Sequence, residues 1–379
     1  MKRLLSLFII SILLLSSACG SRAVSKEATG SVAPATSITE PETTSATASA
    51  TASATEPTSP AVTETTALEH DRPDTQPAKQ ICYRFATKEE GVRLMLSNQE
   101  YYDGFSQNDL EFRLQRVGAT MEELKAFARE QVLDFTDEEK ALIRSIFDEM
   151  ETTLAENGYT LPQTDEVILI KTTMEEEKSA AGYTHGTQVY FYSTYIEYAC
   201  TEREHKDYYL NYLRYLMWHE LFHCMTRSNP DFQKDMYSII HFTIVDEDFP
   251  IPPSVFEYHI SNPDVEHHNS YATFRINGED IDCFTDFVTT KHFEKPGDSF
   301  FDFCTTALVP IDGTDIYYTP EQAENYDEGF GKNTGYVVDP EECIADNFTY
   351  AMQYGMSGEN GNGYPNPEII AAILEYLSR

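Results

Sequence analysis

The chain has 379 residues, 63 acidic against 27 basic, with a formal net charge of −36. No basic stripe runs through it, so nucleic-acid binding and direct attraction to anionic lipid head groups are both excluded. Residues 79–379 are rich in Tyr and Phe and long enough to bury a full core.

The N-terminus reads Met1-Lys2-Arg3, then an apolar run from Leu4 to Leu15 broken only by Ser6 and Ser11, then Ser16-Ser17-Ala18-Cys19. A charged start, a short apolar stretch and small residues make a secretory signal over residues 1–18, too short to span a bilayer. A Cys directly after small residues resembles a bacterial lipoprotein signal, although Ser16 stands where that pattern favours Leu. The resemblance implies lipidation at Cys19 and anchoring on the outer face of the bacterial membrane, with no other membrane contact. Residues 19–78 are dominated by Ser, Thr, Ala, Pro and Glu. Such a segment buries too little apolar surface to offset its ordering entropy, so a disordered tether is expected. The domain proper is then 79–379.

Thr136-Asp137-Glu138-Glu139 is a helix start, and apolar residues at helical spacing carry that helix to Met150, with Gly158 as a stop. Val167–Ile170 reads as a buried strand, Gly182–Gly186 as a turn and Thr187–Tyr192 as a second strand.

His219-Glu220-Leu221-Phe222-His223 follows, in a long run without Gly or Pro. On a helix the two histidines lie one above the other, so both imidazoles reach one metal ion. Glu220 sits about 100° further round, where it addresses a water on that ion without binding the ion itself. The helix carrying the motif is apolar on most of its surface, which predicts a buried central helix. It should stop near Ser228-Asn229-Pro230. No Gly or His continues the motif after Cys224, which excludes the metzincin pattern.

Residues 230–335, with several prolines, read as loop-rich, and Glu266-His267-His268 as a solvated loop rather than a minor metal site. Asp282 and Asp286 in Glu279–Asp286 repeat an i, i+4 carboxylate spacing and are the lesser candidates for a third ligand. The better segment is Asp339–Phe348. Asp339 serves as N-cap and Pro340 as first helical residue, and the helix runs from Glu341 to about Gln353. Glu342 and Asp346 then share a face, the first placed to bind metal and the second to accept the free ring N–H of a ligating His. The competing reading of Glu342 is a capping box returning to the Asp339 N–H. Pro367–Tyr376 closes the chain as an amphipathic helix.

H-E-x-x-H followed by a helix bearing E-x-x-x-D resembles the gluzincin metallopeptidases, and Pro340–Tyr350 is similar to the second helix of bacterial zincin-like lipoproteins. The resemblance covers the two motif helices and the strands before them; the long stretch 224–341 between the motifs departs from it. It implies an α+β fold, with a small sheet beside the HExxH helix and a mainly helical second lobe carrying the third ligand. It implies Zn²⁺ held by His219, His223 and Glu342, Glu220 as general base, Asp346 as the orienting carboxylate, and peptide or protein as substrate. An oxyanion donor in such sites is Tyr or His; Tyr350 is the first candidate, with Tyr354 and Tyr336 also eligible. Thr187–Tyr192 would be the edge strand that pairs with extended substrate. Two rivals remain: a non-catalytic surface binding lipoprotein that keeps the fold, and a metal-binding lipoprotein unrelated to peptidases. The six cysteines after Cys19 permit three disulfides. Cys224 and Cys343 adjoin proposed ligands but lie off the ligand face, as buried small hydrophobes do.

Overall fold

A computed structural model describes residues 79–201 and 205–379. The signal segment, Cys19 and the tether lie outside the described residues. The architecture is mixed α+β. One sheet has the order β1-β3-β5-β4, from β1 (Tyr83–Phe85), β3 (Val167–Thr172), β4 (Gly182–His185) and β5 (Gln188–Tyr192). β1 and β5 flank β3 in parallel, β4 pairs antiparallel with β5, and the two-residue β2 (Val132–Leu133) adds to β3.

Two strands differ from expectation. Gly182–His185 is a strand rather than a turn, and it forms the sheet edge. The strand expected there, β5, is interior, with Val189, Tyr190 and Phe191 all buried. A strand placed between two partners has no free backbone groups to offer an extended ligand.

The helix between β2 and β3 spans Asp137–Asn157. A reciprocal capping box between Thr136 and Glu139 opens it, and Gly158 closes it at φ 69°. That left-handed conformation suits glycine because it carries no Cβ. The motif helix runs Lys206–Ser228 and ends at Asn229, ahead of Pro230, which begins the next helix, Pro230–Ile239. Every residue from Leu216 to Thr226 is buried, so the apolar surface read from the sequence does place this helix centrally.

Residues 230–335 are loop-rich, as expected, but they also hold regular elements. After Pro230–Ile239 comes an antiparallel sheet of order β6-β7-β8-β9: β6 (Thr243–Ile244), β7 (Ser270–Ile276), β8 (Glu279–Thr289) and β9 (Cys304–Pro310). The segment between the motifs is therefore partly β. Asp282 and Asp286 lie on β8 and not on a helix. Asp282 accepts from Thr273 Oγ1 at 2.6 Å and Asp286 faces His259, so neither competes for the motif histidines.

The helix Pro340–Tyr354 has Asp339 as N-cap, accepting from Glu341 N, and Pro340 in its first turn. It packs directly on the motif helix. Phe222 stacks obliquely on Phe348 (5.3 Å between ring centroids) and Phe232 (5.6 Å), and Trp218 meets Phe348 edge-on. The C-terminal helix Pro367–Leu377 buries Ile369, Ile370, Ile373 and Leu377 in the same core. Cys82, Cys200, Cys224, Cys283, Cys304 and Cys343 are free thiols, with Cys224, Cys283 and Cys343 fully buried.

Phe222 has no exposed surface and joins three helices. Replacing it with Ala removes those contacts and leaves a cavity, at a cost of about 3–5 kcal/mol. A lowered urea midpoint with an unchanged m-value is the expected result.

Candidate metal centre

The motif helix turns His219 and His223 toward the helix Pro340–Tyr354. His219 Nε2 lies 3.1 Å from Glu342 Oε2, and His223 Nε2 lies 3.6 Å from the same oxygen. One donor atom from each of the three side chains falls within 4.8 Å of the others. The capping-box reading of Glu342 is displaced: its Oε1 accepts from Tyr336 Oη at 2.8 Å and Asn262 Nδ2 at 2.7 Å.

The opposite ring nitrogens face carboxylates. His219 Nδ1 is 3.1 Å from Asp346 Oδ1, near the carboxylate expected to orient it, though without an aligned hydrogen bond. His223 Nδ1 donates to Glu341 Oε1 at 2.9 Å. Such outer carboxylates orient a ligating imidazole and raise its basicity. Each is buttressed in turn. Thr226 Oγ1 (2.6 Å) and Tyr237 Oη (2.7 Å) donate to Glu341, and Tyr215 and Thr334 hydroxyls donate to Asp346.

Glu220 is 2% exposed and accepts from Thr184 Oγ1 on β4 at 2.7 Å. This approach depends on Gly182. A Cβ there would stand 2.8 Å from Glu220 Oε1 and 3.1 Å from the Tyr190 carbonyl oxygen, so only glycine lets the carboxylate lie against the strand.

The fifth carboxylate is Asp264. Its Oδ1 accepts from Thr184 N at 2.7 Å and lies 3.9 Å from His223 Nε2. It belongs to the peptide Asn262–Glu266, which runs along the free edge of β4. Glu266 Oε1 accepts from Gly186 N at 2.6 Å. Arg227 anchors this peptide, donating to the Asp264 carbonyl at 2.8 Å and pairing with Glu266 at 3.0 Å. At its start, Ser261 N donates to Asp109 while its carbonyl accepts from Arg113, and Asp109 and Arg113 are a buried ion pair on the helix Gln107–Leu114.

Burial and charge pull against each other here. Desolvation works against a charged His219, yet the Asp346 and Glu342 carboxylates outweigh it and raise its pKa well above 6.5. Burial also opposes a charged His223, but the nearby Asp264 charge and the hydrogen bond to Glu341 push it up to about 9. Burial raises the Glu220 pKa, opposed by the two histidines and by the Thr184 hydroxyl. Burial also raises Asp264, with Glu220 adding to it. Burial likewise opposes a charged Glu342, but its hydrogen bond to His219 and the nearness of both imidazoles win and lower its pKa. Five acids thus converge on two imidazoles inside the protein, and His223 Nε2 has no hydrogen-bond partner. Unpaired buried charge and an orphaned ring nitrogen are both costly. A divalent cation among His219, His223 and Glu342 relieves both, so the residues present fit a metal ion.

Sequence reasoning brought His219, Glu220, His223, Glu342 and Asp346 to one place. It ranked the tyrosines differently from the geometry. Tyr350 lies against Tyr215, Tyr354 and Tyr364 with its hydroxyl beside Thr334, whereas Tyr336 reaches Glu342. It missed Glu341, whose signal was present: neighbouring acids on a helix point about 100° apart and so can serve different histidines. Thr184, Asn262 and Asp264 carry no local signal.

The geometry defines a buried group of two histidines and one glutamate able to hold a metal ion, with a further carboxylate alongside. No protein-family model matches the chain, and no curated protein or solved structure matches it.

Glu341 should tune the centre without forming it. Glu341→Gln is expected to weaken metal affinity about 10–100-fold. Competitive titration with a chromophoric chelator, using Zn²⁺ as the probe, measures this.

Proposed function

We propose that the chain is a zinc-dependent peptidase of zincin type, working outside the cell from the lipid anchor expected at Cys19. The observation that carries this reading is the placement of Glu220. Two imidazole Nε2 atoms and Glu342 Oε2 converge on one point, while Glu220 stands beside them, held by Thr184 and accommodated by Gly182. A purely structural metal site has no use for that fourth side chain.

Nitrogen donors with one carboxylate suit Zn²⁺, and three protein ligands leave a position for water or substrate. Zn²⁺ bound there supplies the Lewis acidity that makes water a nucleophile at neutral pH and polarises a carbonyl. Glu220 takes the proton from the attacking water and passes it to the leaving amine. Asp346 and Glu341 keep both imidazoles oriented, and Tyr336 and Asn262 fix the Glu342 carboxylate, leaving Oε2 for the ion. The edge open to an extended peptide is β4 rather than Thr187–Tyr192. Asp264 and Glu266 hold its Thr184 and Gly186 N–H groups. A peptide that pairs with β4 therefore displaces these two carboxylates.

Asp264 also favours a second reading, a non-catalytic surface binding lipoprotein. With Glu220 and His223 it makes a second possible ligand group, and as a fourth ligand it would close the centre. Digestion of a broad peptide library separates the two. The peptidase reading expects cleavage by the wild type and none by Glu220→Gln with its zinc content unchanged. A zinc-loaded wild type that cleaves nothing supports the binding reading, and full activity in Glu220→Gln removes the general-base role.

The pH dependence follows from the Thr184 contact. Its hydroxyl stabilises charged Glu220 and lowers its pKa. In Thr184→Val that donor is gone, the Glu220 pKa rises, and the base form is lost at a higher pH. The acidic limb of kcat/KM against pH is expected to move upward relative to wild type.

A further inference from the structure

We infer that His259, His268 and Asp286 form a second divalent-metal site, separate from the motif histidines, in the wall of a cavity of about 490 Å³. This inference stands on its own residues and does not depend on the peptidase reading.

The backbone places the three side chains before any ligand arrives. Asp286 is on β8, which is held on both sides by β7 and β9. The peptide carrying His259 is bonded to the same strand: Ile260 N donates to the Phe287 carbonyl at 2.8 Å and Thr289 N to the Tyr258 carbonyl at 2.9 Å. His268 lies two residues before β7, and its Nδ1 is 3.3 Å from the Thr285 carbonyl. A carbonyl only accepts, so this contact puts the proton on Nδ1 and leaves a lone pair on Nε2. That Nε2 lies 3.9 Å from Asp286 Oδ1. On the other side, His259 Nδ1 is 2.7 Å from the same oxygen, while its Nε2 is 3.3 Å from Ser261 Oγ. Each imidazole therefore has one nitrogen engaged by an outer oxygen and the other turned to Asp286. This is how ligating histidines are commonly held.

The second observation is Asp286 itself. The residue is 2% exposed, and its Oδ2 is buried without any hydrogen-bond partner. A simple His259–Asp286 ion pair explains the 2.7 Å contact but leaves Oδ2 unsatisfied and gives no reason for the lone pair of His268. A cation shared by the three satisfies all of them. Two imidazoles and one carboxylate suit Zn²⁺ or another late first-row divalent ion, and not Ca²⁺ or Mg²⁺, which take oxygen ligands. The cavity borders His268, Asp286 and Ser261, so the ion has a way in and room for water as a further ligand.

The test is a metal count on the full chain, stripped with chelator, reloaded with Zn²⁺ and dialysed. Wild type should hold two equivalents. His268→Gln, at a side chain only partly buried, should hold one, and so should His223→Gln/Glu342→Gln. Cobalt substitution should give visible absorption in both variants, with different spectra. A single wild-type equivalent that disappears in His223→Gln/Glu342→Gln overturns the site. So does a wild type with two equivalents of which His268→Gln loses none. If His268→Gln does not fold, as judged by far-UV circular dichroism, the metal content of His223→Gln/Glu342→Gln decides: one equivalent supports the site and none overturns it.

Discussion

The structure turns on like charge gathered where water cannot screen it. Glu220, Asp264, Glu341, Glu342 and Asp346 all lie within the interior around two imidazoles. In a medium of low dielectric their mutual repulsion is strong and their desolvation costly. Such a cluster persists only if opposite charge is supplied at its centre and the surroundings hold each carboxylate in place. Both conditions are visible. The two histidines are drawn toward the charged form by the acids, and hydroxyls of Thr184, Thr226, Tyr215, Tyr237, Thr334 and Tyr336 donate to individual carboxylate oxygens.

Holding those groups requires stiff elements. The motif helix supplies three of the chemical side chains within five residues, and the helix Pro340–Tyr354 supplies three more within six. Aromatic packing of Phe222, Phe348 and Trp218 fixes the two helices against each other. Close packing makes that relation hard to deform, since core side chains interdigitate at crystal-like density. The third component, Asn262–Glu266, is different in kind. It is an irregular peptide tied down by Arg113 and Arg227, and it closes the sheet edge beside the centre. Two rigid helices set the ligands, and a tethered strap sets access to them.

Much of the centre was legible in order of residues alone, for a local reason. His219, Glu220 and His223 belong to one helical turn, and Glu342 and Asp346 to another, so helical periodicity dictates which side chains share a face. The Asp339-Pro340 start and the Asn229-Pro230 stop are equally local. Strand roles were not legible. Whether Thr187–Tyr192 or Gly182–His185 forms the edge depends on which strands lie alongside, and short apolar runs do not say. The prolines in 230–335 suggested loops, but β7, β8 and β9 fall in stretches where pairing partners, rather than propensity, make the strand. His259 and Asp286 are 27 positions apart and were not associated, because their meeting depends on how that sheet folds.

By itself, then, the sequence determined the two helical motifs, the acidic character of the chain and the residue types able to hold a metal, since each depends only on composition or on spacing within a turn or two of helix. The tertiary structure alone decided that Glu342 reaches both histidines, that Glu341 and Tyr336 support the site, that Asp264 lies over β4, and that His259, His268 and Asp286 face one another. Those relations join residues far apart along the chain, and only the packing of helices and pairing of strands determines their separation in space.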